Sequence, residues 1–301
     1  MSLLLRSLSR AFLAQRGTNF SKMSRNLSFN TLNVTVPKPF IYHVELNRPQ
    51  KLNAQTVEMW VELKHCFDEL NLDPNCRVIL LSGSGKMFTA GLDFKAAMEH
   101  SVEINEEEDV ARKAKLLRQA IAKGQDAFTS FESCNKPVLA AVHSACIGAG
   151  VSLITAADVR YCTKDAWFQV KEVLLGMACD VGALQRLSKV VGADGIVREI
   201  CYTGRKIEAV EAEKIGLISK VFNDKESMMA SVMEVAETIA GNSPVAVQGT
   251  KNSLVFSRDH SVQDGLTHIA VHNQGMLQSE DFINGVMALA MKQTDIKYSK
   301  L

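Results

Sequence analysis

Two short stretches of small residues are the first places in this sequence where backbone amides could bind an anion. Residues 88–93 read FTAGLD, and residues 146–150 read CIGAG. Each follows an apolar run typical of a buried strand, and the second leads into residues 151–156, which are predicted to be helical. Small side chains let a ligand approach the backbone, and amides at a helix N-terminus favour negative charge. Tight turns or close packing would explain either stretch alone, but together they predict two amides that converge on one oxygen.

The motifs of several other enzyme classes are incomplete in this sequence. Gly83 and Gly85 do not extend to the GxGxxG pattern of dinucleotide-binding proteins, and Gly85-Lys86 lacks the Ser or Thr of a phosphate-binding loop. Residues 150–154 (GVSLI) end in Ile where a hydrolase nucleophile elbow has Gly, and the sequence has no HExxH. The sequence therefore gives no support to dinucleotide, phosphoryl-transfer, α/β-hydrolase or zinc-hydrolase chemistry.

Strand and helix patterns alternate around these stretches. A helix with apolar residues at helical spacing is predicted after Asn53, which can cap it, and another helix over residues 110–131. A short β-rich segment is predicted at residues 40–46, and buried strands are predicted at residues 77–81, 137–142 and 158–162. This alternation continues to about residue 222 and predicts parallel βαβ units in an α/β core.

Beyond Asp224 the pattern is purely helical. Breaks are predicted at residues 242–244 and near Ser257 and Ser279, which would divide the segment into three or four helices. No low-complexity linker separates this segment from the core. We therefore expect these helices to pack on the core or on a partner subunit.

The composition narrows the class of protein. The 301 residues are 47% hydrophobic and 22% charged, which suits a large core, and the net charge of +1 gives no general attraction to nucleic acid. No apolar run is long enough to span a bilayer, so we expect no membrane insertion. The seven cysteines lack metal-binding spacing, and we expect reduced thiols with no metal and no disulfide.

Both ends of the chain carry address signals. Residues 1–44 contain Arg and Lys but no Asp or Glu, which is typical of a mitochondrial presequence, although a disordered basic tail would look similar. The last three residues are Ser-Lys-Leu, the peroxisomal tripeptide. We expect a protein of the mitochondrial matrix and the peroxisome, with the import receptors of both organelles as partners. The predicted divisions are a targeting presequence and flexible tail (1–39), a core (40–223), a helical region (224–298) and the tripeptide (299–301).

Several blocks together resemble the crotonase (enoyl-CoA hydratase/isomerase) superfamily, in its usual order and over roughly residues 40–295. They are residues 48–54, 88–93, 136–143 and 148–150. Further blocks resemble one branch of that superfamily, the Δ(3,5)-Δ(2,4)-dienoyl-CoA isomerases: residues 168–173, 180–187, 243–249 and 257–262. The Ser-Lys-Leu ending also occurs in that branch.

This resemblance implies a fold, an activity and an assembly. The fold would be the α/β crotonase fold, a repeated ββα spiral core with a helical C-terminal trimerisation region. The activity would be the shift of 3,5-dienoyl-CoA to 2,4-dienoyl-CoA in fatty acid β-oxidation, with an acyl-CoA thioester as substrate. No cofactor is implied, because CoA is part of the substrate, and the assembly would be a homo-oligomer, a trimer or a dimer of trimers.

The resemblance also implies roles for particular residues. The backbone amides of Ala90 and Ala149 would form an oxyanion hole, and Glu172 and Asp180 would transfer protons at C2 and C6. A 3,5-to-2,4 shift needs proton loss at one end of a dienolate and proton gain at the other, which suits two carboxylates. The substrate-binding residues would be Ala90, Gly91, Leu92, Asp93, Ala149, Gly150 and Ser152.

Ser152 departs from the family pattern, because the dienoyl isomerases have Asp and the hydratases Glu at this position. The departure disfavours an enoyl-CoA hydratase-like activity, but leaves open a Δ3-Δ2-enoyl-CoA isomerase working with Glu172 alone. A catalytically weakened acyl-CoA-binding protein and a serine thioesterase with His143 as base are further alternatives. RNA binding, known in one crotonase branch, is disfavoured because residues 54–70 have several acids and one lysine, Lys64.

Overall fold

Two β-sheets form the centre of the structure, a computed structural model that describes residues 28–293 and 296–301. The larger sheet has the strand order β1-β2-β3-β4-β6-β9, and the smaller has the order β5-β7-β8. The strands are β1 (Leu32–Lys38), β2 (Ile41–Leu46), β3 (Val78–Gly83), β4 (Val138–Val142), β5 (Ala145–Ile147), β6 (Val159–Thr163), β7 (Trp167–Gln169), β8 (Ile207–Glu208) and β9 (Lys220–Phe222).

The larger sheet is parallel except at one edge. β1 pairs antiparallel with β2, and from β2 to β9 all neighbours are parallel. Every residue of β3 and β4 is buried, as expected for strands covered on both faces. The predicted buried strands and their parallel arrangement are therefore confirmed.

Helices cover both faces of this sheet. In the described ranges they are α1 (Val57–Leu72), α2 (Phe94–His100), α3 (Val102–Glu106), α4 (Val110–Ser133), α5 (Ala149–Thr155), α6 (Ala183–Val191), α7 (Asp194–Thr203), α8 (Ala209–Lys214), α9 (Lys225–Gly241), α10 (Pro244–Ser257), α11 (Val262–Met276) and α12 (Glu280–Ala290). Short 3-10 turns occur at Pro49–Lys51 and Glu172–Leu175. Helices α1, α4 and α5 contribute to one large core cluster, whereas α9 covers the opposite face with Met228, Val232 and Ala236.

Two local predictions are wrong. Helix α1 is capped by Thr56, whose hydroxyl accepts from the Met59 amide at 3.2 Å, and not by Asn53. The Asn53 side chain instead donates to the carbonyl oxygens of Ser84 and Met87, which fixes the loop after β3. Residues 32–38, which the sequence placed in the flexible tail, form β1 because their alternating pattern allows pairing with β2. The predicted presequence in residues 1–27 lies outside the described residues.

The C-terminal region has four helices, α9 to α12, with breaks at the predicted places. Each of the last three begins with a serine cap: Ser243, Ser261 and Ser279 accept hydrogen bonds from amides in the first turn. Among the described residues, no helix is long and apolar enough to cross a membrane. The seven cysteines are free thiols, and all but Cys201 are buried.

Candidate active site

The two predicted small-residue loops meet at one cavity of about 230 Å³. Thr89 and Cys146 pair as neighbours: the Thr89 amide donates to the Ala145 carbonyl at 3.1 Å, and the Ile147 amide donates to the Thr89 carbonyl at 3.3 Å. The loop after β3 and the start of α5 therefore lie side by side. The remaining lining comes from α1, the first residue of α2, the 3-10 turn with the residue before it, and the loop that follows the turn: Trp60, Phe94, Lys171, Glu172, Leu175, Met177, Asp180 and Val181.

Small residues are needed here for contact between the loops. Gly91 has φ +88°, and a β-carbon there would lie 2.7 Å from the Ile147 carbonyl oxygen. A β-carbon on Gly150 would lie 2.4 Å from Cγ2 of Thr89. Both distances are shorter than a van der Waals contact, so neither position has room for a side chain. The absence of side chains lets the loops pack closely and also leaves their backbone open to a ligand.

The amide of Ala90 is not available to a ligand. It donates to the Leu52 carbonyl at 3.0 Å, so the predicted oxyanion role of Ala90 is wrong. Among the described residues, the amides of Leu92 and Ala149 have no hydrogen-bond acceptor, and both residues line the cavity. The Gln55 amide donates to the Gly91 carbonyl, and the Asp93 amide donates to the Gln55 carbonyl. Because successive amides of an extended chain point to opposite sides, the Leu92 amide points away from Gln55.

Asp93 and Gly150, which the sequence placed among the substrate-binding residues, are not among the residues that line the cavity. Asp93 caps α2 through the Ala96 amide and accepts both terminal nitrogens of Arg48 at 3.1 Å. The Ala96 hydrogen bond and the Arg48 guanidinium keep the pKa of this carboxyl below its usual range. Asp93 therefore fixes the loop that presents Leu92.

Both predicted proton-transfer residues line the cavity. Glu172 is buried at the start of the 3-10 turn, and its Oε1 lies 3.4 Å from where a β-carbon of Gly148 would be. Its Oε2 is buried without a hydrogen-bond partner in the part of the chain that the structure describes. Asp180 is half-buried in the loop before α6, and it is not a helix cap, because α6 begins at Ala183 after Gly182.

Burial governs the electrostatics of this pair. Burial raises the pKa of Glu172 and the charge of Asp180 raises it further, while the nearby amide of Glu172 and thiol of Cys179 oppose this increase. Burial also raises the pKa of Asp180. Elevated carboxyl pKa values in a cleft are characteristic of proton-transfer sites.

Ser152 does not reach the cavity. It is fully buried; its hydroxyl accepts from the Ala183 amide at 3.2 Å and lies 3.3 Å from the Cys179 sulfur. His143 instead pairs with the Gly85 carbonyl at 3.0 Å, so the two residues do not form a nucleophile and base. The serine thioesterase alternative therefore has no support in the geometry. Among the described residues, no group of three or more His, Cys, Asp or Glu is arranged to hold a metal.

Sequence comparison decides the family. A model of the enoyl-CoA hydratase/isomerase family matches residues 38–295. The chain belongs to this family. Solved enoyl-CoA hydratase/isomerase structures agree: an enoyl-CoA hydratase from Bacillus anthracis has a TM-score of 0.80 at 27% identity, covering 89% of this chain and 99% of that chain. The predicted crotonase fold is confirmed.

Curated relatives that are 34–47% identical to this chain share one enzyme name, whereas two mycobacterial relatives at 29% identity are named probable enoyl-CoA hydratases. The chain is 46% identical over 279 residues to the mouse protein named Delta(3,5)-Delta(2,4)-dienoyl-CoA isomerase, mitochondrial, covering 91% of this chain and 84% of that protein. It is 42% identical to the Arabidopsis thaliana protein of the same name marked peroxisomal, covering 87% and 93%. The predicted resemblance to this branch of the family is thus confirmed.

Proposed function

We propose that this protein is a Δ(3,5)-Δ(2,4)-dienoyl-CoA isomerase acting in fatty acid β-oxidation. One observation carries the proposal: two open amides and two carboxyl groups with raised pKa values line a single, largely apolar cavity. The names of relatives 42–47% identical to this chain support the same reaction. CoA enters as part of the substrate, and no other cofactor is proposed.

The amides of Leu92 and Ala149 bind the thioester oxygen in this mechanism. Ala149 is the first residue of α5, so its amide lies at the positive end of a helix. Negative charge develops on the oxygen when C2 loses a proton, and fixed amide dipoles stabilise that charge more strongly than the neutral thioester. Leu92 therefore takes the place that the sequence assigned to Ala90.

Glu172 removes the C2 proton. Its carboxyl packs against Gly148, one residue before the Ala149 amide, and C2 is bonded to the carbonyl carbon whose oxygen that amide binds. Asp180, which lines the same cavity beside Val181, then donates a proton to C6 of the dienolate. Exchange with solvent returns Glu172 to its ionised form and Asp180 to its protonated form, so the net reaction moves one proton from C2 to C6.

The test is an assay of purified protein against 3,5-dienoyl-, 3-enoyl- and 2-enoyl-CoA. We expect the 3,5-dienoyl substrate to be isomerised fastest. Glu172→Gln and Asp180→Asn should each lower this rate by about 10²–10⁴-fold, since both keep the shape of the side chain but cannot cycle a proton. The exposed acids Glu226 and Asp126 provide matched controls, Glu226→Gln and Asp126→Asn, which should leave the rate unchanged.

Other outcomes would identify the alternatives. Preferred turnover of 3-enoyl-CoA that survives Asp180→Asn would indicate a Δ3-Δ2-enoyl-CoA isomerase, and preferred hydration of 2-enoyl-CoA would indicate a hydratase. Binding without turnover of any substrate would indicate an acyl-CoA-binding protein. The names of the relatives that are 42–47% identical to this chain favour none of these alternatives.

We further propose a homo-oligomer, a trimer or a dimer of trimers, assembled through the C-terminal helices. Helices α10, α11 and α12 expose large apolar side chains: Leu254, Val262, Leu266, Val271, Phe282, Ile283, Val286 and Leu289. Apolar surface of this extent on a water-soluble domain is characteristic of a protein–protein interface.

Dual localisation to the mitochondrial matrix and peroxisome is also proposed. Relatives named for each organelle and the terminal tripeptide support it, and Leu301 is exposed at the chain end. A fluorescent protein fused after Leu301 should abolish the peroxisomal pool and spare the mitochondrial one. An unchanged peroxisomal pool would contradict the tripeptide as the address.

A further inference from the structure

Trp60 and Val181 form one wall of the cavity beside Asp180. Both side chains line the cavity, and the two residues are 7% and 6% exposed. A β-carbon on Gly124 would lie 2.9 Å from Cγ1 of Val181 and 3.1 Å from Cζ3 of Trp60, so these two side chains are neighbours. Gln125, next to Gly124 on α4, donates from its side-chain amide to the Asp180 carbonyl at 2.7 Å. Helix α4 therefore supports both this wall and the backbone of Asp180.

The Trp60 ring is held in one orientation. Its Nε1 donates to the side-chain oxygen of Gln55 at 2.9 Å, and its ring meets that of Phe128 edge-on, with 6.0 Å between the centroids. Gln55 and Phe128 are fully buried. Because protein interiors are close-packed, a ring held in this way cannot turn aside for a ligand without losing these contacts.

Gln55 also connects this wall to the amide that the proposed mechanism places on the thioester oxygen. Its backbone pairs with the loop on both sides of Leu92, while its side chain holds Trp60. One buried residue therefore fixes both ends of the space that is available to an acyl chain.

Gly124 leaves room for the wall on the side away from the cavity. It lies within α4, where glycine is less favourable than alanine, and it is not among the residues that line the cavity. A side chain at this position would displace Val181 and Trp60 toward the cavity, because the helix lies behind both of them. The glycine therefore contributes to the depth of the cavity.

We propose that Trp60, with the room that Gly124 leaves behind it, determines the length of the acyl chain that the enzyme accepts. The inference rests on the proposed function for the placement of the chain, with the thioester at the Leu92 and Ala149 amides and C6 at Asp180. Carbons beyond C6 then meet the wall formed by Trp60 and Val181. A chain that is too long for this space loses affinity, since overpacking a closely packed apolar site is unfavourable.

The experiment measures kcat/KM for a series of 3,5-dienoyl-CoA substrates that lengthens by two carbons at a time. Trp60→Phe removes the ring that carries Cζ3, so it should raise kcat/KM for the longest substrate relative to the shortest by about tenfold or more. Gly124→Ala should lower the same ratio by a similar factor, because one methylene in an apolar pocket changes kcat/KM by about 10–200-fold. A correctly folded variant of either kind with the wild-type ratio would overturn the proposal.

Two control variants separate chain-length selection from general damage to the fold. Gly195→Ala also adds a β-carbon to a helical glycine, but no atom lies within 4 Å of it. Phe131→Leu also shortens a buried aromatic side chain of the same core cluster, but Phe131 is not among the residues that line the cavity. Both controls should keep the wild-type ratio between long and short substrates, even where the overall rate falls.

Binding of saturated acyl-CoA tests the wall without turnover. Calorimetric titration with these unreactive thioesters should show affinity rising with each added methylene until the chain reaches the wall, and then falling. Trp60→Phe should move the length of tightest binding to longer chains, and Gly124→Ala to shorter chains. An unmoved optimum in both variants would refute the role of the wall even in an active isomerase. Conversely, an optimum that moves in a protein without 3,5-dienoyl-CoA turnover would refute the proposed function and leave the wall established.

Discussion

In the proposed mechanism, backbone amides form the anion-binding half of the site, and a suitable substitution should delete one of them without changing the fold. Ala149 is the first residue of α5, a position where proline is accepted because the amide there has no partner within the helix. We predict that Ala149→Pro leaves the protein folded but lowers kcat by about 10²–10³-fold, the usual effect of losing one oxyanion donor. Circular dichroism and steady-state kinetics on the same preparation measure both effects.

Ala149→Gly, which retains the amide, is the matched control and should keep most of the activity. Ala90→Gly should also be tolerated, because the Ala90 amide remains bonded to Leu52 and does not reach the substrate. A correctly folded Ala149→Pro protein with wild-type turnover would contradict the oxyanion role of Ala149.

The raised pKa of Glu172 has a consequence for stability. Burial makes the folded state hold the Glu172 proton more tightly than the unfolded chain does. Between the unfolded and folded pKa values the folded state therefore binds more protons, and the free energy of unfolding falls as pH rises through that window. We predict that Glu172→Gln, which removes this effect, raises the thermal midpoint at pH 7 relative to the wild type.

The same gain in thermal midpoint should shrink as pH falls below the ordinary range of a glutamate, where the carboxyl is protonated in both states. Melting curves of both proteins across this pH range measure the difference. A Glu172→Gln protein less stable than the wild type at pH 7 would show that the ionised carboxylate is compensated by its neighbours.

Single residues were predictable where the sequence matches the pattern of the family. Glu172, Asp180 and Ala149 fell within the family pattern and lie at the cavity. The sequence assigned the oxyanion role to Ala90 and missed Leu92. The direction in which an amide points depends on how its loop pairs with Gln55, and sequence spacing does not show this pairing.

At the scale of elements, the site depends on how closely the loop after β3 approaches the start of α5. The methyl group of Thr89 occupies the space where a β-carbon of Gly150 would be. We predict that Gly150→Ala destabilises the fold by about 1–3 kcal/mol, the usual cost of overpacking. Thr89→Ser removes this methyl but keeps the hydroxyl that donates to the Asn53 carbonyl, so the double variant should recover part of the loss.

Denaturant unfolding of the wild type, both single variants and the double variant gives the coupling free energy, which should be favourable by about 0.5–3 kcal/mol. Gly195→Ala is the control, since Gly195 lies in α7 with no atom within 4 Å of an added β-carbon. That change should be neutral or stabilising. Strictly additive effects of Thr89→Ser and Gly150→Ala would contradict direct contact between the two positions.

The elements that sequence predicted best are those with continuous apolar patterns. β3 and β4 are wholly buried and therefore read as uninterrupted apolar runs. The smaller sheet escaped prediction because β5, β7 and β8 have three, three and two residues, too few to show any periodicity. Strands this short are specified by their tertiary partners more than by local sequence.

At the scale of the whole molecule, helices α10 to α12 are notable for the number of apolar residues that they expose. Helix α9 covers the sheet with its own buried residues, so the three helices that follow are not needed to close the core. Their exposed apolar residues form the surface on which the proposed contact with other copies of the chain would lie. The predicted helical region was visible in the sequence because periodicity identifies a helix, but periodicity does not reveal which apolar face lacks a partner within the subunit.

This leads to a prediction for the assembly. Val271 on α11 is 63% exposed, and burial of an uncompensated charge at an interface costs about 3–5 kcal/mol. Val271→Glu should therefore shift the protein from oligomer to monomer in sedimentation velocity experiments. Val210→Glu is the matched control, since Val210 on α8 is 75% exposed but lies outside the C-terminal helices. Dissociation by Val210→Glu, with an intact oligomer in Val271→Glu, would place the interface on a different surface.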